Sequence, residues 1–199
     1  MLVSCNYPII LASSSNIRNQ ILKSHNIDFK VVKPTYDEDS EKKLLKPMTP
    51  KNLALFLATQ KALSVSKIHP NAVVIGSDQV CEFNQKDISK SHNLDEAIAQ
   101  LKLFNGKTHY QNNAIVIVRD GKVIFRNFAR ASLTMRKLKT QQIIDYVNSD
   151  KPIGCAGSYK YESFGKHLFE KVRGDYFAIL GLPIQPILNF LHSHEIINL

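Results

Sequence analysis

The chain has 199 residues, 44% of them hydrophobic, enough for one folded unit with a buried core, and it carries a formal charge of +9. Apolar runs such as residues 72–75 and 114–118 fall far short of the roughly 20 residues a membrane-spanning helix needs, and the start lacks the basic and apolar regions of a secretory signal. The positive charge favours anionic ligands without choosing among nucleotides, nucleic acid and lipid; the pairs Lys42-Lys43 and Arg136-Lys137 are too short for a nucleic-acid arm, so no stable nucleic-acid or membrane binding is expected. Cys5, Cys81 and Cys155 are an odd number without metal-ligand spacing, and His69, His92 and His109 complete no zinc pattern around them, which fits reduced thiols in a cytoplasmic protein. Cys155 has no recognisable base beside it and reads as packing rather than as a nucleophile.

In chain order, residues 7–12 form a short apolar strand that runs into Ser13-Ser14-Ser15, after which Ile17, Ile21 and Leu22 recur at helical spacing. Residues 29–33 predict a second strand, followed by a loop with Pro34 and the acidic cluster Asp37-Glu38-Asp39. Thr49 suits a helix N-cap and Pro50 the first helical position, opening an amphipathic helix to about residue 67 with Lys61 in its later half. The apolar run 72–75 predicts a central strand ending in Gly76-Ser77-Asp78-Gln79, so that a carboxylate emerges at the strand end. Residues 94–105 predict a helix stopped by Gly106, and 110–118 with 122–134 a pair of long strands turned at Asp120-Gly121. A helix at 141–149, a loop at 152–157, strands at 168–172 and 176–180 around Arg173-Gly174-Asp175, and a helix at 184–193 complete the chain. Helices and strands interleave while the hairpin demands antiparallel pairing, which predicts a mixed, curved α/β sheet with flanking helices: a single domain over 1–199 with a cleft.

Cleaving a triphosphate at its α-phosphate needs cations for the phosphate oxygens, carboxylates for a metal, and a group that activates water. Ser13, Ser15 and Arg18 sit where a strand turns into a helix, whose free N–H groups suit a phosphate, although the spacing equally fits an ordinary serine cap with a solvated arginine. Asp78, beyond an apolar strand, occupies the usual mouth of an open α/β sheet, or else simply forms a turn. Glu38 offers hard oxygen ligands for magnesium, and Lys61 and Lys90 point charges for phosphates, yet each taken singly also reads as solvated surface.

Four separated strings, in order, give these residues a context: Ile10-Leu11-Ala12-Ser13-Ser14-Ser15-Asn16-Ile17-Arg18, Gly76-Ser77-Asp78-Gln79-Val80, Cys155-Ala156-Gly157-Ser158-Tyr159-Lys160-Tyr161-Glu162, and Gly174-Asp175 through Gly181-Leu182-Pro183. Together they resemble the Maf family of nucleotide pyrophosphatases, from about residue 8 to 192. The resemblance implies an inosine-triphosphatase-like fold of two lobes about a cleft, hydrolysis of nucleoside triphosphates to monophosphate and pyrophosphate, a divalent cofactor (Mg2+ or Mn2+) and a homodimer. It implies phosphate binding by Ser13, Ser15, Arg18, Lys61 and Lys90, a metal-associated Glu38, and a catalytic Asp78 that accepts a proton or ligates the metal.

Three positions separate the family's substrate branches, and here they are Ile17, Gln79 and Glu162. Gly-Ser-Asp-Gln-Val and Ala-Gly-Ser-Tyr-Lys-x-Glu look like the 7-methyl-GTP branch, which implies modified or non-canonical nucleotides as substrates. A carboxylate at 162 could accept from guanine N–H groups and suits a positively charged methylated ring. Two rival readings stand beside this one: a broad or dTTP/UTP-type pyrophosphatase of the same fold, and a non-catalytic nucleotide- or nucleic-acid-binding protein linked to division control. The chain departs from the family pattern at Asn16 and at Ser89-Lys90-Ser91, where prolines are usual, which bears on the geometry of Lys90; His109 reads as structural.

Overall fold

A computed structural model describes residues 3–36 and 47–199, so Glu38 lies outside the described residues. Seven strands form a mixed sheet. Strand β2 (Ile9–Ala12) runs parallel to β3 (Lys30–Val32) on one side and to β4 (Val73–Phe83) on the other. Antiparallel strands β6 (Thr108–Arg119), β7 (Lys122–Met135) and β8 (Phe169–Arg173) then follow in order, with the short β5 (Lys86–Ile88) paired back onto β4. Strands β1 (Ser4–Cys5) and β9 (Ile197–Asn198) tie the two ends of the chain together.

The long hairpin turns where the sequence places it: Asp120 and Gly121 both take positive φ, which matches the right-handed twist of the strands they join. Asn84 and Gln85 do the same between β4 and β5, a turn the sequence does not announce because the Gly of the usual Asn-Gly pair is replaced by Gln. Helix α1 is Asn16–Lys23, and α2 is Pro50–Ser66, capped as expected by the Thr49 side chain accepting from the Asn52 amide. Helix α3 spans Leu94–Phe104 and α4 spans Thr140–Asp150.

Two expectations are corrected. Residues 176–180 are not a strand but helix α5 (Tyr176–Leu180), started by the Asp175 carboxylate accepting from the Ala178 amide and stopped by left-handed Gly181. A five-residue apolar run has no period to read, and the two caps decide it. Asp78 does not lie at a strand end either. Strand β4 continues through it because β6 keeps pairing, with Asp78 opposite Ala114 and Gln79 opposite Asn113. What ends is the parallel neighbour: β2 pairs with β4 only as far as Ala12 opposite Gly76.

Alternation along the strands divides the core. On one face Ile9, Leu11, Val73, Ile75, Ile115 and Ile117 pack against α1 and the last helix, α6 (Ile184–Ser193). On the other Ile10, Ala12, Val74, Ala114 and Val116 pack against Leu57, Ala58 and Ala62 of α2. The far ends of β4, β6 and β7 carry a separate cluster, with Phe83, Leu133 and Met135 against Leu101 and Phe104 of α3 and Ile143 and Val147 of α4. One continuous sheet thus serves two lobes.

Helix α2 lies so close to β4 that a Cβ at Gly76 would strike the Ala58 carbonyl oxygen and stand 2.8 Å from the Ala62 Cβ. Gly76→Ala should therefore destabilise the fold by about 1–3 kcal/mol, an overpacking cost; a urea midpoint within error of wild type would refute this close packing.

Candidate active site

Between the end of β2 at Ala12 and the start of the β5 pairing at Cys81, residues Ser77–Val80 of β4 have no strand neighbour on that edge among the described residues. A cleft of about 430 Å³ opens beside this gap. It is lined by Ser13, Ser14 and Ser15, by Ile17 and Arg18 of α1, by Lys61 of α2, and by Gln79. The second lobe adds Lys90, the loop of Gly154, Cys155 and Ala156, and Tyr159, Tyr161 and Glu162. Lys33, Pro34 and Tyr36 from beyond β3 and Ile179 and Leu180 from α5 complete the wall; no sequence signal had singled out these five residues as site residues, because a cleft wall is assembled across the fold.

The two-residue period sends neighbours on β4 to opposite sides. Asp78 points to α2, where Lys61 Nζ donates to its Oδ1; the side chains are only 4% and 14% exposed, and neither charge could be buried this far without the other. Ser77 and Gln79 point to α5. The Ser77 hydroxyl donates to the Gly181 carbonyl at 2.9 Å, and Arg18 Nε donates to that same carbonyl at 2.7 Å. A side chain at Gly181 would combine left-handed φ with a Cβ 3.3 Å from Arg18 Nε, so only glycine suits both duties. Gln79 Nε2 donates to the carbonyls of Ala178 and Ile179 at 3.0 and 2.8 Å, which commits its amide hydrogens to α5 and leaves Oε1 as an acceptor.

The serine-cap reading and cleft placement coincide. Ser15 caps α1 by accepting from the Arg18 amide, the Ser13 hydroxyl oxygen accepts from the Ser15 amide at 3.1 Å, and both serines border the cleft at the positive end of the helix. Lys90 is held from behind. Ser91 accepts the Gly154 amide on its carbonyl at 3.0 Å, and its hydroxyl bonds that of Ser158 at 3.0 Å, itself donating to Gln100 Oε1 at 2.7 Å. The serine that replaces the usual proline after Lys90 thus anchors the lysine segment to the base of the 154–158 loop.

Cys155 lines the cleft, but burial and then the nearby Glu162 carboxylate push its thiol up, so it stays protonated and un-nucleophilic at neutral pH. Burial also pushes up the Tyr161 hydroxyl, with Tyr176 adding to it. His109 is structural: fully buried, stacked on Phe104 at 4.4 Å, and bonded through Nε2 to the Tyr159 hydroxyl, which also accepts from Gln111. Among the described residues no three His, Cys, Asp or Glu side chains gather as a metal site. Among the described residues, the buried Asp78 beside the cleft and the exposed Glu162 in its wall offer the hard oxygens that suit magnesium, a cation commonly held by one or two carboxylates with substrate oxygens completing its shell.

Arg18, Lys33, Lys61 and Lys90 outnumber the acids here, which makes the cleft an anion site bordered by one buried carboxylate. Residues 8–194 match the family described as Maf-like protein. The chain belongs to the Maf family. Maf relatives include a 7-methyl-GTP pyrophosphatase of Brucella suis, 39% identical over 194 residues that span 96% of this chain and 98% of that protein. A nucleoside triphosphate pyrophosphatase of Bradyrhizobium diazoefficiens is 35% identical over 192 residues, 96% and 95% of the two chains. Among solved structures, the Staphylococcus aureus Ham1 protein gives a TM-score of 0.46 at 14% identity, covering 94% of this chain and 99% of that one. No helix among the described residues is long and apolar enough to cross a membrane.

His109 also sets a pH dependence. Burial lowers its imidazole from 6.5 to about 3, so between these values the unfolded chain holds a proton that the folded chain does not. Stability is complete above pH 6.5 and falls as the pH falls towards 3, by roughly 2 kcal/mol on reaching pH 5. His109→Phe, which keeps the stack on Phe104, should flatten this slope in urea titrations at pH 7 and pH 5; an unchanged slope would assign acid sensitivity elsewhere.

Proposed function

We propose that the chain is a nucleoside triphosphate pyrophosphatase that hydrolyses the α–β bond to give a monophosphate and pyrophosphate, acting in the cytoplasm as a homodimer. The observation that carries this reading is the buried Asp78–Lys61 pair at the edge of a cationic cleft. A site built only to bind an anion gains nothing from a desolvated carboxylate, whereas hydrolysis needs one to act on water.

In this reading Ser13, Ser15 and the α1 N-terminus hold phosphate oxygens, Arg18, Lys61 and Lys90 neutralise the triphosphate, and Asp78 accepts the proton of the water that attacks the α-phosphorus as pyrophosphate leaves. Arg18 is pre-aimed by its bond to the Gly181 carbonyl and Lys90 by the Ser91 anchor, so little order is lost when substrate binds. Asp78, with Glu38 as a second carboxylate, would hold Mg2+ or Mn2+, which when bound supplies charge neutralisation at the phosphate oxygens.

At the base end Gln79 Oε1 and the Glu162 carboxylate both accept, and Ile17 closes the wall. Two acceptors complement the ring N–H and exocyclic amine of guanine. This supports a guanine-type substrate, and the name of the Brucella suis relative points to its 7-methylated form.

Pyrophosphate release should be measured with magnesium or manganese across guanine, 7-methylguanine and pyrimidine triphosphates. Asp78→Asn should lower kcat by roughly 10²–10⁴-fold in the fraction that remains folded by circular dichroism, and Glu162→Gln should erode the preference for guanine-type bases over pyrimidines. Folded wild type that binds nucleotides yet releases no pyrophosphate would leave a binding protein instead.

A further inference from the structure

We propose that Tyr161 is the base-stacking wall of the cleft and that, with Glu162, it selects a purine ring carrying positive charge, the chemistry of an N7-alkylated guanine. The proposal rests on the pyrophosphatase reading for the identity of the ligand as a nucleotide, and it adds a selecting residue. Three tyrosines reach the cleft, and of these Tyr161 is the one that adjoins Glu162 with its hydroxyl and ring face not tied down by His109 and Gln111. Tyr159 is 5% exposed, with its hydroxyl held by Gln111 and His109 and its ring edge-on to Phe169. Tyr36 packs edge-on against Phe56 of α2, on the side of the cleft that holds Lys33.

Tyr161 is half-buried and adjoins Glu162, and its ring is braced by Phe169 at 6.0 Å and Tyr176 at 5.8 Å. Tyr176 is supported in turn by Phe177 at 5.5 Å. The ring is therefore fixed before ligand arrives. A braced aromatic face attracts a cation through its quadrupole as well as stacking on a flat base, and the effect grows where water is excluded. Glu162 reinforces the same sign. It is an exposed carboxylate with no ion pair among the described residues, set at the base end of a cleft otherwise rich in cations.

The test is equilibrium binding, by titration calorimetry in magnesium, of the α,β-methylene analogues of 7-methyl-GTP, GTP and UTP, which cannot be cleaved at the reacting bond. Wild type should bind the 7-methyl analogue best. Tyr161→Leu should weaken the 7-methyl analogue by roughly tenfold or more, GTP by less and UTP least, whereas Tyr161→Phe should keep wild-type affinities. No weakening in the Leu variant, equal weakening of the methylated and unmethylated purines, a Phe variant as weak as the Leu variant, or no binding by wild type would each overturn the proposal. Pyrophosphate release from the ordinary triphosphates, run in parallel, separates the two ideas: base-selective binding without release overturns the pyrophosphatase reading alone, and release without base-selective loss overturns the role of Tyr161 alone.

Discussion

Strand β4 keeps its antiparallel partner after its parallel partner has stopped, and the candidate site depends on this mismatch. Up to Gly76 the strand is covered on both edges and both faces, and its residues are accordingly Val, Val, Ile and Gly. Beyond Gly76 one edge has no strand partner among the described residues while β6 still pairs with the backbone, so Ser77, Asp78 and Gln79 are displayed on a strand rather than a loop. A carboxylate in this position is largely desolvated, and only the ammonium of Lys61 makes that tolerable. Close approach of α2 to Gly76 brings Lys61 within reach, linking a glycine with no chemistry of its own to the geometry of the buried ion pair.

Helix α5 organises the opposite side of the same strand. Its last carbonyls take the Gln79 amide, and the Gly181 carbonyl just beyond takes both Ser77 and Arg18, so a five-residue helix aligns two side chains of the cleft wall. These carbonyls are available because helix termini leave them without intrahelical partners. The chain thus turns a helix N-terminus, at Ser15, towards the cleft and a helix C-terminus, after Leu180, towards its own side chains.

The second lobe contributes through a loop whose conformation is costly and therefore well anchored. Gly154, Gly157 and the fully buried Ser158 all take positive φ, and a serine there is expensive without compensation. The compensation is visible in the bonds from Ser158 to Ser91 and Gln100, which also couple the loop carrying Tyr161 and Glu162 to the segment carrying Lys90. The Glu162 and Lys90 segments of the cleft wall are thus joined through one pair of hydroxyls.

Much of this was legible in the sequence wherever a local rule applies. The Asp120-Gly121 hairpin, the Thr49-Pro50 helix start, the apolar strand at 72–75 and the mixed sheet they require all follow from turn chemistry, capping and periodicity. The residues singled out in the four family strings, together with Lys61 and Lys90, line one cleft or stand beside it, although their roles in turnover await measurement and Glu38 falls outside the described residues. The sequence by itself determined the elements and the inventory of charged groups. Only the tertiary structure decided that Asp78 lies within a strand, that residues 176–180 are helical, and that the Tyr161 ring stands in the cleft wall braced by Phe169 and Tyr176. The physical reason is the same in each case: strand length is set by the partner strand, a five-residue element by its caps, and the freedom of a side chain by neighbours far away in the chain.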